Sequence, residues 1–230
     1  MNARLEMHVV AAGRARTYGA LSALYLAAPS EDLAEMIRAG GLAADDSGSP
    51  LGAAAGALTA SFREAAALRL ENELAAEHTR LFVLPSGVLP HESIYLDGNK
   101  RLGGRVTAGV QRYYENAAAK LTNACLELPD HIGVELEFMS FLCDLEAQLR
   151  EQADGAGLQK CLEIQHGFLT QHLLRWHQPF CAKVLASSNS GAYRALANLT
   201  IAYLEAERDL VPELIDELDT ESRTVCATEN

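Results

Sequence analysis

The chain has 230 residues, of which 49% are hydrophobic and 22% charged, and it carries a net charge of −12. That length and apolar content describe a folded globular protein with a sizeable core. The charge argues against nucleic-acid binding, because a phosphate backbone requires a basic stripe and none is visible, while the abundance of alanine and leucine over β-branched residues favours helix.

In chain order, the first expected element is a helix over 3–28, stopped by Pro29. Arg14 and Arg16 precede the apolar run Tyr18–Ala28, which resembles a signal peptide, but Leu21, Leu24, Tyr25 and Ala28 repeat as a core-facing helix does. Ser30 reads as the N-cap of a short helix to Ala39, closed by Gly40-Gly41. A loop at 45–50 leads into one long alanine-rich helix from Leu51 to Leu84, ended by Pro85. The region 83–107 carries Pro85, Gly87, Pro90, Gly98 and Gly103-Gly104, and a structureless stretch of that length is usually functional.

Helix is expected again over 108–122, from Pro129-Asp130 to Gln152, from Gly157 to Trp176 with interruption at Pro179, over 180–186, and over 192–208. The tail from Asp209 holds seven acidic residues against Arg223 alone and reads as frayed. No stretch reaches the roughly 18 apolar residues needed to span a bilayer, so no membrane span is expected. Cys125, Cys143, Cys161, Cys181 and Cys226 form no C-x-x-C pair, which is the pattern of reduced core thiols in a cytosolic protein. The fold class is all-α. The organisation is a single domain over 1–230, with an N-terminal lobe over 1–100, a C-terminal lobe over 105–210, a hinge at 83–107 and a frayed tail over 211–230.

In the helix after Pro129, Ile132, Leu136, Met139 and Cys143 form one apolar stripe, and Phe138, Leu142, Leu145 and Leu149 a second. Glu135 falls between them, while Glu137 and Asp144 face the polar side. Asp130 stands where an N-cap belongs, and His131 and Glu135 are placed to pair at i, i+4. These three residues read either as capping and intrahelical pairing or as an acidic site at the mouth of a groove, where a cationic peptide docks. In the loop, Leu81, Phe82, Val83, Leu84, Leu89, Ile94, Tyr95 and Leu96 are either buried anchors or an apolar strip rimmed by Glu92 and Asp97.

Other chemistries find little support. A metal-dependent hydrolase using His131 and Glu135 needs a third ligand, and His166, His172 and His177, spaced by six and five, share no helix face. No nucleophile elbow surrounds Ser86 or Ser93, Pro129 separates Cys125 from His131, and Gly103-Gly104-Arg105 lacks phosphate-loop spacing. A generic helical interaction module is a third reading.

Two segments, Arg80-Leu-Phe-Val-Leu-Pro85…Leu89-Pro-His-Glu-Ser-Ile-Tyr-Leu-Asp97 and Leu128-Pro-Asp-His-Ile-Gly-Val-Glu-Leu-Glu-Phe-Met139, resemble the signature regions of the TorD/DmsD family of molybdoenzyme maturation chaperones. His172-Leu-Leu-Arg-Trp176…Phe180 and Tyr193-Arg-Ala-Leu196 are similar to its C-terminal helices. The resemblance implies an all-helical bundle of about eight to ten helices, as a monomer or a domain-swapped homodimer. It implies a cytoplasmic non-enzyme that binds the twin-arginine signal peptide of a molybdopterin-dependent oxidoreductase and assists that client until its cofactor is inserted. The positions matching the family's proposed peptide surface are Leu81, Phe82, Pro90, Ser93, Asp97, Pro129, Asp130 and His131, and Glu92, Tyr95 and Glu135 join them on the chemistry above. Thr79, His91 and Tyr95 stand where related chains place tryptophans. No cofactor is expected; weak guanine-nucleotide binding is implied by resemblance alone.

Overall fold

A computed structural model describes the backbone of residues 2–42, 48–119 and 127–228, with side chains over 7–42, 48–119 and 127–220. Every regular element among the described residues is helical. The order is α1 (Asn2–Leu26), α2 (Glu31–Arg38), α3 (Pro50–Leu68), α4 (Glu71–His78), a π-turn (Thr79–Val83), α5 (Glu92–Leu96), α6 (Arg105–Asn116), α7 (Ile132–Gln152), α8 (Gly155–Phe168), a second π-turn (Leu169–Leu173), α9 (Leu174–Ser187) and α10 (Gly191–Thr228). The expected all-α class is therefore observed.

Central to the bundle is α7, with α1 lying along it, while α10 packs against α3, α8 and α9. One buried cluster runs from Ala15 on α1 to Val211 on α10, so elements from both sides of the loop share a core. Both expected stripes of α7 face inward, with Ile132, Leu136, Leu142 and Cys143 fully buried. Gly133 admits the close approach of α1, because a Cβ there would meet Leu26 Cγ at 2.5 Å.

Several boundaries differ from the sequence reading. The long helix expected from Leu51 to Leu84 breaks at Arg69, which adopts a left-handed conformation (φ 56°) and closes α3 by donating from Leu70 N–H to Ala65 C=O. Ala153 (φ 60°) ends α7 in the same way, after Gln152 as expected, and Asp154 then caps α8 by accepting from Gly157 N–H. Ser30 caps α2 as expected. Pro179 does not interrupt its helix: it lies inside α9 on the exposed face. The tail after Asp209 continues α10 to Thr228, with Val211 and Leu214 buried, the latter against Leu158 and Leu162. Apolar burial thus overrides the acidic composition over at least its first turns.

Cys143, Cys161 and Cys181 are free and buried, and burial pushes the Cys161 thiol up to about 11 and that of Cys181 up to about 12. The helix expected over 108–122 ends at Asn116, followed by Ala118 in a left-handed conformation (φ 54°). Cys125, the side chain of Cys226 and residues 45–47 of the expected loop lie outside the described residues.

Candidate functional site

The two signature segments meet backbone to backbone. His91 and His131 form an isolated antiparallel bridge; Glu92 N–H donates to Asp130 C=O at 2.9 Å and Ile132 N–H to Pro90 C=O at 2.8 Å. Tyr114 O–H on α6 donates to Pro129 C=O at 2.7 Å. The loop is thereby fastened to the start of α7 and is not structureless, since its middle forms α5. At its beginning, Gly87 folds back on the first π-turn so tightly that a Cβ would collide with the Leu81 and Arg80 carbonyl oxygens.

Asp130 and His131 do not act as the spacing predicts. The N-cap of α7 is His131, whose Nδ1 accepts from Gly133 N–H at 3.0 Å. Asp130, one residue earlier and fully buried, points across to α5 and its Oδ2 accepts from Ser93 N–H at 3.0 Å. It caps the neighbouring helix. The expected His131–Glu135 pair does not form, because His131 Nδ1 is turned back onto its own backbone, while Glu135 Oε2 accepts from Trp176 Nε1–H at 3.1 Å. Burial, reinforced by His91 and His78, pushes His131 down to about 3, so it is neutral. Glu135 is raised well above the carboxylate range by burial and by the adjacent Glu92.

Glu92 was expected on an acidic rim. It is instead 1% exposed and holds His172 Nδ1 at 2.8 Å and 3.1 Å with its two oxygens. The second π-turn carries His172 to this position, 80 residues away in sequence. Ser93, also buried, accepts at Oγ from Gly103 N–H at 3.2 Å and so draws in the far end of the loop. His91 Nδ1 lies 3.9 Å from Asp130 Oδ1, too far for a hydrogen bond, and neither atom has another partner. Burial lowers the His91 imidazole despite this neighbour.

The remaining candidate residues divide by exposure. Leu81 and Pro90 are buried, and Phe82 is half-buried among the rings of Tyr25, His78 and Tyr193. Tyr95 and Asp97 are part-exposed; Tyr95 stacks on Trp176 at 5.4 Å, donates its O–H to Leu89 C=O and lies under Lys183 Nζ at 4.4 Å. Pro129 is half-buried. Val83, Leu84 and Leu89 are exposed at 64%, 46% and 39%, an apolar edge carried by the fastened loop.

Sequence reasoning missed His172, Trp176, Tyr114 and Gly103 as partners of the site, because each arrives from a distant element without local signal. It also missed a groove of about 340 Å³ between α3, α4 and the start of α10, where exposed Glu64 and Glu73 stand beside Leu68 and Leu70. Among the described residues no three His, Cys, Asp or Glu side chains gather as metal ligands, and His131 and Glu135 are committed to the contacts above.

Fold and site together define a helical scaffold that fastens one loop through buried polar contacts and displays that loop's apolar edge. The chain belongs to the family described as nitrate reductase delta subunit, whose model matches residues 48–182, more than half of its length. It is 29% identical to the chaperone protein TorD of Vibrio cholerae, over 63% of this chain and 65% of TorD. It is also 30% identical to the selenate reductase assembly chaperone protein of Thauera selenatis, over 61% of this chain and 74% of that one. The chlorate reductase assembly chaperone protein of Ideonella dechloratans is 32% identical over 52% of this chain and 61% of that one. A solved structure from Archaeoglobus fulgidus, assigned as a redox enzyme maturation protein, superposes with a TM-score of 0.49 at 21% identity, covering 81% of this chain and 92% of that one.

Proposed function

We propose that this chain is a cytoplasmic, non-catalytic chaperone in the assembly of a molybdopterin-dependent oxidoreductase, and that it binds the client's twin-arginine signal peptide while the cofactor is inserted. Family membership and the naming of its relatives as chaperones of TorD type or of selenate and chlorate reductase assembly support the first part. The observation that carries the second is the loop held by Asp130, Ser93, Glu92 and His172, which leaves Val83, Leu84 and Leu89 exposed on the same segment as Asp97. An apolar edge with a carboxylate suits a peptide that has basic and apolar parts. In this reading Leu89, Tyr95, Asp97, Phe82 and Pro129 touch the peptide. Leu81, Pro90, Glu92, Ser93, Asp130, His131 and Glu135 hold the loop that presents them.

Titration of a fluorescent peptide carrying two arginines followed by an apolar segment tests this. Binding is expected to weaken with salt, as the screening length falls from about 10 Å at 0.1 M to about 3 Å at 1 M. Replacing both arginines by glutamine should weaken it further, and equal affinity of the two peptides would overturn electrostatic recognition. Glu64→Gln with Glu73→Gln, set against Asp97→Asn, tells which carboxylates receive the arginines.

A further inference from the structure

On the opposite chemical footing stands a groove of about 720 Å³ between α6 and the second π-turn with the start of α9. Its walls carry Arg105 and Arg112 from α6 and Arg175 from α9, all exposed. None of the three pairs with a carboxylate among the described residues; Arg175 reaches only the Gln171 carbonyl, at 3.3 Å. Arg14, Arg38, Arg80, Arg150 and Arg208 each hold a glutamate. Among the described residues Arg16, Arg63, Arg69, Arg101 and Arg194 do not, so what sets Arg105, Arg112 and Arg175 apart is that they line one groove. In a protein with 31 acidic and 19 basic residues, three unpaired guanidinium groups around one groove run against the composition. Glu92, the one acid that lines it, is buried and already satisfied by His172.

The spacing of the arginines sets the shape of the ligand. Arg105 and Arg112 are seven residues apart, which puts them on nearly the same face of α6 and about 10.5 Å apart along its axis. Arg175 stands on the facing wall. That spacing suits two separate acceptors, and in a segment extended as polyproline II, with three residues per turn, carboxylates three residues apart stand on one face about 9 Å apart. The planar fork of each guanidinium matches a carboxylate bidentately. We propose that this groove binds a carboxylate-rich segment of a partner polypeptide, in extended conformation, at a site separate from the loop edge. The proposal does not depend on what the loop binds.

A fluorescein-labelled decapeptide with glutamate at every third position and alanine and glycine between is the probe, followed by fluorescence anisotropy on the full chain. Saturable binding that weakens with salt is expected. Arg112→Ala and Arg175→Ala should each weaken it about two- to five-fold, as exposed ion pairs do, and the double variant more than either. Arg194→Ala, exposed on α10 outside the groove, should leave it unchanged, and all variants should melt like the parent because these side chains are solvated. Absence of binding, or binding indifferent to Arg112 and Arg175, overturns the proposal. So does displacement of the probe by inorganic pyrophosphate at lower concentration than by unlabelled peptide, which would make the groove a phosphate site. Retention of twin-arginine peptide binding by the same variants separates this outcome from any failure of the loop reading.

Discussion

Two clusters of buried polar groups hold this fold, and they are built differently. Around Arg14, the guanidinium on α1 donates to both oxygens of Glu207 on α10 at 2.8–3.1 Å, to Glu146 on α7 at 2.6 Å and to Gln165 on α8 at 2.7 Å. Tyr18 and Arg150 complete it, so that every oxygen of Glu146 and Glu207 accepts at least one hydrogen bond. Around Asp130, by contrast, His91 Nδ1, Asp130 Oδ1 and Glu135 Oε1 are buried without a partner. The first cluster joins four long helices and leaves no carboxylate oxygen without a hydrogen bond; the second fastens a loop and does leave such oxygens. A satisfied network fixes the scaffold, while an under-satisfied one stores cost at the place where the chain presents its exposed edge.

The largest effect should come from breaking the satisfied cluster. Arg14→Met leaves Glu207 buried without its counter-ion and Glu146 with Arg150 alone, and the expected loss is about 3–5 kcal/mol in urea unfolding at neutral pH. A loss under 1 kcal/mol would mean that the scaffold does not depend on this cluster.

The opposite sign is expected at Glu135. Burial raises its carboxyl well above the ordinary value in the folded state, so above that value the folded state binds more protons than the unfolded one and stability falls as pH rises. The cost is about 1.4 kcal/mol per pH unit up to the folded value. Glu135→Gln, which keeps an acceptor for Trp176, should be at least as stable as the parent at pH 8 and should lack that slope in thermal melts between pH 5 and 8.

His131 gives an acid-side counterpart. Its imidazole is neutral down to about 3 when folded, so below about pH 6.5 the unfolded chain takes up a proton that the folded chain does not, and stability falls as pH drops through that window. His131→Asn retains a capping oxygen for Gly133 N–H and should unfold at lower pH than the parent. Unchanged acid midpoints would assign the acid lability to His91, His78 and His177, which burial lowers as well.

The smallest effect concerns Asp130. Asp130→Ala removes the cap of α5 and should cost about 0.5–2 kcal/mol, appearing as faster amide exchange in residues 92–97 and not at the start of α7. Asp130→Asn keeps an oxygen for Ser93 and should stay close to the parent. Faster exchange at Ile132–Glu135 would show that Asp130 supports α7 after all.

Much of the local structure was legible. The Ser30 cap, the buried stripes of α7 and the helical reading of the run from Tyr18, which holds to Leu26 and not to Ala28, all rest on periodicity and capping chemistry within a few residues. The end of α7 at Gln152 was legible too, but the break at Arg69 was not, because a left-handed residue that is neither glycine nor asparagine carries no composition signal. At the site, a single-residue difference mattered. The signal for a cap was present in Asp130-His131, but which residue caps which helix depends on where α5 lies.

By itself, the sequence determined the helical class, the buried faces and the segments that resemble a chaperone family, since each depends on residues within one or two turns of one another. Only the tertiary structure decided which polar groups meet. Ser93 with Asp130, Glu92 with His172 and Arg14 with Glu207 are 37, 80 and 193 residues apart. Hydrogen bonds and ion pairs are short-ranged and directional, so residues that distant become partners only when the packing of apolar faces has already placed their helices side by side.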